Sequence, residues 1–311
     1  MERADRTDAG AALRHPGDGG VMLAGLSAFT LTPMDADGVV DTDHLGRLVA
    51  RLSGCGVASI GVLGSTGSYM YLSASERARA IAAAVEAAGD TPVLAGIGAL
   101  RTTDVMAHMQ AAEAAGASAA LLAPASYLPL TDEDFISLVE SAASVSRLPI
   151  CLYNNPSTTH FTMSEALVAQ LATWESVAAV KNPAPKTGAA EQITRLRAVT
   201  PAGFVLGYSG DALIDGPLSG GADAWYSVLA GTLPEACLAI WAARGGDVAQ
   251  AHDRLKPIWD LFNTHGSIRV VPHMLELLGL GSAPLPLPLQ PLSNAVVAQI
   301  ETALDAIKEP A

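Results

Sequence analysis

Ser176-Val177-Ala178-Ala179-Val180-Lys181-Asn182-Pro183 is the stretch whose reading decides the fold. A run of small and apolar residues reads as a strand buried on both faces; an amine follows it directly, and Asn-Pro then stops regular structure. Burial disfavours the ammonium form, so a lysine held at such a strand end is placed to act as a nucleophilic amine. The competing reading is a lysine whose stem lies on apolar surface while its head reaches water. Lysines occur at 181, 186, 256 and 308, and Lys181 alone closes an apolar run. Lys186 lies beyond two prolines and reads as a solvated loop charge.

Working outward, short apolar runs alternate with helical patterns about eight times, which is the signature of parallel strands joined by crossover helices. The strands are expected at residues 26–32, 58–63, 93–97, 119–122, 150–153, 177–181, 204–207 and 224–228. Between the first two, Leu45, Leu48, Val49 and Leu52 recur at helical spacing and make one apolar face. Ser73-x-x-Glu76 and Thr162-x-x-Glu165 have capping-box spacing, and Gly89 stands where the first of those helices should stop. After the eighth strand, 234–244 and 257–278 read as helical; the Pro-Leu run at 284–289 interrupts, and a last helix starts near Ser293. The fold class is therefore α/β, a (β/α)8 TIM barrel with additional C-terminal helices. Its expected parts are a disordered leader at 1–20, a barrel at 21–232 and a helical extension packed on the barrel at 233–311.

Composition excludes several classes. The chain has 311 residues, half hydrophobic and 16% charged, enough for one large core. Eighteen basic against 31 acidic residues give a net charge of −13, which repels phosphate backbones and anionic lipid surfaces, so neither nucleic acid nor membrane is an expected partner. No apolar run approaches the roughly 18 residues of a membrane span. Cys55, Cys151 and Cys237 are odd in number and widely spaced, as expected of reduced thiols in a cytoplasmic protein. The seven histidines show no metal-ligand spacing, Gly96-Ile97-Gly98 does not complete a dinucleotide fingerprint, and the serine-hydrolase elbow is missing.

In a β/α barrel the site lies at the C-terminal ends of the strands. The polar residues there are Thr30 and Thr32, Gly64-Ser65-Thr66-Gly67, Tyr127, Tyr153-Asn154-Asn155, Lys181-Asn182, Tyr208-Ser209-Gly210-Asp211 and Tyr226-Ser227. The Gly64–Gly67 turn can hold a carboxylate through hydroxyls and backbone N–H groups, or its hydroxyls can simply cap a neighbouring helix. Tyr153 can shuttle a proton, or it can be a core tyrosine with a satisfied hydroxyl. His160, beside the tyrosine motif, is a pocket candidate or a loop histidine without a role.

Leu152-Tyr153-Asn154-Asn155-Pro156-Ser157, Lys181 at the next strand end and the Gly64-Ser65-Thr66-Gly67 turn upstream together resemble the dihydrodipicolinate synthase and N-acetylneuraminate lyase family. The resemblance runs from about Leu26, through Thr32-Pro33, Tyr208-Ser209-Gly210-Asp211 and Gly221-Ala222-Asp223, to the Pro-Leu tail. It implies a lyase of the aldolase type acting on pyruvate or a related 2-oxo acid and a second small substrate. Lys181 would form the imine, Tyr153 would transfer protons, and Ser65 and Thr66 would bind the carboxylate. Gly64, Thr158, Tyr226, Ser209 and Gly210 would line the substrate pocket, with Tyr226 where the family packs an apolar or small residue against the imine. No metal or organic cofactor is implied, because the protonated imine is itself the electron sink. By the same resemblance a homo-oligomer, tetramer or dimer, is expected, and Tyr127 falls about one residue out of register with a tyrosine that reaches across a subunit contact in tetrameric relatives.

Two departures alter the expectation. Members that make dihydrodipicolinate carry an arginine at the position of Thr158, and a threonine cannot replace a bidentate guanidinium clamp. A glutamate that follows the turn in the family is Ser68 here. The first departure argues against dihydrodipicolinate synthesis; a dehydratase of a hydroxy-2-oxo or sugar acid, and a non-catalytic paralogue that binds a small acid, are the alternatives.

Overall fold

A computed structural model describes residues 23–308, so the expected leader at 1–20 lies outside the described residues. Eight parallel strands close into a barrel in sequence order. They are β1 (Gly25–Phe29), β2 (Ser59–Val62), β3 (Val93–Gly96), β4 (Ala119–Leu122), β5 (Ile150–Tyr153), β6 (Val177–Pro183), β7 (Val205–Ser209) and β8 (Ala224–Ser227). β4 and β5 have the expected bounds. β1 stops before Thr30, and β6 runs two residues past Lys181, because Asn182 and Pro183 still pair with Tyr208 and Ser209 of β7.

Alternation divides each strand between two cores. Outward residues such as Leu26, Ile60, Leu152 and Val180 join the layer between sheet and helices. Inward residues fill the lumen, and several are small: Ala119, Cys151, Ala179 and Ala224 contribute little volume. Larger side chains, among them Leu94, Leu121 and Tyr153, fill the rest, and Phe29 and Tyr226 meet edge to face at 6.1 Å between centroids. Glycines make room for them. A Cβ on Gly61 would lie 2.5 Å from Phe29, and one on Gly207 would lie 2.2 Å from Tyr226.

The helices follow from their apolar faces and caps. In Thr42–Gly54, Leu45, Leu48, Val49 and Leu52 are all buried, each contributing about 1.5–3 kcal/mol, and Asp41 accepts the N–H of His44 at 2.9 Å to cap the first turn. Ser73 caps Ala74–Ala88, but Glu76 reaches to the Val40 N–H instead of closing a box. The second expected cap is corrected by two positions: Ser164, not Thr162, starts the Glu165–Leu171 helix, and Glu165 pairs with Arg195. The expected helix at 257–278 is two, Lys256–His265 and Ser267–Leu277, because Gly266 sits between them at φ +82. These two and Asn294–Lys308 pack on one another, and Lys256–His265 also touches the turn after β7.

That turn is held by Asp211, a buried carboxylate that accepts the Trp225 indole N–H at 2.9 Å and the Leu229 N–H at 2.8 Å. Its backbone carbonyl meets His252 Nε2 at 2.8 Å, linking the barrel rim to the C-terminal helices. Burial pushes the Asp211 carboxyl above its ordinary range, against the pull of its donors. Asp211→Asn keeps the shape but turns an NH2 group toward one donor, so the variant should lose about 1–3 kcal/mol of stability, read as a lower urea midpoint.

Candidate active site

Lys181 occupies the inward position at the C-terminal end of β6, opposite Tyr153 of β5 on one side and Gly207 of β7 on the other. It is 3% exposed. Its amine stands over three ring faces, 3.8 Å from the centroid of Phe29, 4.2 Å from Tyr153 and 5.8 Å from Tyr226. Among the described residues no carboxylate pairs with it, whereas each exposed cation–π contact of this kind is worth about 0.5–1 kcal/mol and a desolvated one more.

The Tyr153 hydroxyl accepts the Asn155 side-chain N–H at 3.0 Å and lies 3.5 Å from the Ser65 hydroxyl. Ser157 donates in turn to the Asn155 carbonyl oxygen at 2.8 Å, so a polar chain runs from the exposed loop to the phenol. On the far side of the barrel wall, Asn154 donates to Asn182 at 3.0 Å and accepts the Met163 N–H at 3.1 Å. This bridge ties β5, β6 and the following loop together beside the phenol and amine.

Backbone strain shapes the Gly64–Gly67 turn. Leu63 and Ser68 flank it at φ +56 and +53, conformations that cost a side-chain-bearing residue energy. The Leu63 carbonyl is accommodated only because residue 96 is glycine, where a Cβ would lie 1.8 Å away. Inside the turn, the Gly67 and Ser68 N–H groups bond back to Gly64 and Ser65 carbonyls, while the N–H groups of Ser65 and Thr66 make no bond within the described residues. Gly64 itself is pressed by Phe29, 2.9 Å from where its Cβ would be.

The other expected residues are not all brought in. Ser209 lies at the end of β7, its hydroxyl 3.4 Å from the Asn182 carbonyl, and Gly210 follows at φ +99. Thr158 is exposed on the short Pro156–Thr159 helix, and its hydroxyl turns back to the Asn155 carbonyl at 3.4 Å. Tyr226 is wholly buried in the lumen, its ring centroid 5.8 Å from the amine and its hydroxyl accepting the Cys151 thiol at 3.6 Å. Tyr127 is 92% exposed on the loop after β4 and stands outside the Lys181–Tyr153 cluster of its own chain. Tyr208 points outward to Gln192 at 3.1 Å, and His160 is exposed.

Two site residues escaped the sequence reading. Phe29 carried only a strand pattern, although its inward place in Ser27-x-Phe29 could have marked it. Tyr69 lies in the short helical turn after Ser68, with the buried Arg77 guanidinium 5.3 Å from its ring. Burial pushes its phenol up to about 12, the nearby Tyr153 phenol adds to the rise, and Arg77 opposes it.

A closed parallel barrel with a buried amine and a phenol side by side at the C-terminal rim defines a β/α-barrel site equipped for carbonyl chemistry. The sequence profile of the dihydrodipicolinate synthetase family matches residues 22–307, and the chain belongs to that family. It is 32% identical over 288 residues to a 4-hydroxy-tetrahydrodipicolinate synthase of Jannaschia sp. (strain CCS1), covering 91% of this chain and 98% of that one. Among solved structures, a dihydrodipicolinate synthase from Agrobacterium tumefaciens str. C58 superposes with a TM-score of 0.91 at 42% identity, covering 93% of this chain and all (100%) of that one. A prophage protein of the same family from E. coli K12, solved in complex with pyruvate, gives a TM-score of 0.84 at 26% identity over 92% of this chain and 98% of its own.

The lumen beneath the amine makes a chemical prediction. Burial pushes the Cys151 thiol up to about 12, and Cys237 is likewise buried and raised, whereas Cys55 is partly exposed. A disulfide reagent at pH 8 should therefore titrate a single thiol in the native protein and all three after unfolding, read by released chromophore.

Proposed function

We propose that the protein is a class I lyase that forms an imine between Lys181 and pyruvate or a related 2-oxo acid and then makes or cleaves a carbon–carbon bond. The observation that carries the reading is the pairing of Lys181 with Tyr153 across β5 and β6, with the Ser65 hydroxyl at the same phenol. Family membership and the pyruvate held by the E. coli relative support the substrate class.

The residues divide the chemistry. The Ser65 and Thr66 hydroxyls and their unbonded N–H groups take the substrate carboxylate, which presents the keto carbon to the amine. The amine attacks that carbon and forms a carbinolamine. Tyr153 passes a proton to the departing hydroxyl, water leaves, and the protonated imine then stabilises a carbanion at the adjacent carbon. Asn155 keeps the phenol aimed by donating to its oxygen. Ring faces of Phe29 and Tyr153 offer the cationic imine a favourable surface without a counter-ion.

The electrophile is a finer matter. The named relatives are 4-hydroxy-tetrahydrodipicolinate synthases, which favours a condensation. Thr158, exposed and bonded to its own loop, offers no bidentate clamp for a second carboxylate, and on that ground we take the partner substrate to differ from theirs. We take the enzyme to be a cytoplasmic homo-oligomer, tetramer or dimer, whose Tyr127 and Leu128, 92% and 69% exposed, are available to a second copy.

Borohydride reduction with pyruvate should add one pyruvate-derived mass to Lys181, located by peptide mass spectrometry; Lys181→Ala should remove the adduct while the thermal melt stays cooperative. Adduct on another residue, or none, would refute the imine assignment. Tyr153→Phe should lower kcat by about 10²-fold or more with a much smaller change in KM, measured by steady-state kinetics.

A further inference from the structure

We infer that Phe29 is a specificity-determining residue, a fixed wall beside the Lys181 amine that admits 2-oxo acids with a short group next to the ketone and rejects branched or aromatic ones. The inference rests on the imine reading and extends it to the size of the acid.

The wall is close. At 3.8 Å from amine nitrogen to ring centroid, ring and nitrogen are in van der Waals contact, and no further layer of atoms fits between them. It is also immobile. Toward β2, Gly61 and Gly64 already lack the Cβ atoms that would collide with the ring at 2.5 and 2.9 Å. Below, the Tyr226 ring meets it at an interplanar angle of 86°, and Tyr226 is itself pressed against Gly207. Behind, the Phe29 carbonyl abuts Gly231, where a Cβ would come within 2.4 Å. With 1% exposure the ring has no solvent side into which to swing.

In the imine the former keto carbon is one bond from the nitrogen, and its two substituents are two bonds away. The carboxylate goes to the Ser65–Thr66 turn, so the carbon chain of the acid is left among the rings. Each methyl-sized misfit in such a wall discriminates by about 10- to 200-fold.

The test is reductive trapping of pyruvate, 3-methyl-2-oxobutanoate and phenylpyruvate, each read by intact mass, on the wild type, Phe29→Leu and Phe29→Ala. Phe29→Leu keeps most of the lumen filled, and thermal melts report that the variants remain folded. The expected result is a wild type that traps pyruvate at least about tenfold faster than the branched acid, with that ratio falling at least about tenfold in either folded variant. An unchanged ratio in folded variants, or a wild type that traps the branched acid as readily as pyruvate, overturns the role of Phe29 while leaving the imine intact. No adduct with any acid on any of the three proteins overturns the imine reading, and this inference with it.

Discussion

Everything at this rim depends on keeping one amine out of water without giving it a carboxylate. A charged amine removed from solvent costs several kcal/mol, and each ring face returns only a fraction of that. The barrel meets the constraint with geometry. Strand pairing fixes Lys181 between Tyr153 and Gly207, and the flatness of the surrounding rings lets them approach the nitrogen from several sides. The small inward residues Ala119, Cys151, Ala179 and Ala224 are the counterpart of that choice, because they share the lumen with the rings of Phe29, Tyr153 and Tyr226.

A second constraint runs from β3 into the Ser65 turn. The Leu63 carbonyl takes the space a side chain at position 96 would fill, so the left-handed backbone at Leu63 depends on glycine in the neighbouring strand. Arg77 reinforces the same region by donating to the Gly96 and Gly98 carbonyls, each at 2.9 Å. The turn is therefore part of the rigid wall, and its amides are oriented before any ligand arrives.

The barrel was legible because each strand is a short apolar run between helical patterns, and Lys181 was legible because an amine interrupts one of those runs. Strand ends were less so. Thr30 to Thr32 are buried like strand residues although the chain has left β1, and Asn182-Pro183 looks like a stop although both still pair with β7. The aromatic residues show the deeper limit. Tyr208 and Tyr226 both lie near strand ends, yet one faces Gln192 in the helix layer and the other faces Cys151 in the lumen. A single step of register separates the two faces, and a strand buried on both sides carries no polar alternation to say which is which. Tyr69 sits in a turn, where no periodicity points anywhere.

The loop after β5 combines two mechanically separate halves. Asn154, with its bridge to Asn182 and Met163, anchors the base, and Thr159 is buried with its hydroxyl on the Asn155 carbonyl. Between them Ser157 is exposed and supports Asn155, whereas Thr158 is exposed and, among the described residues, bonds only within its own loop. Mutational drift at Thr158 can thus explore new partner molecules at little thermodynamic risk, which gives this barrel an evolvable lip on an inflexible frame.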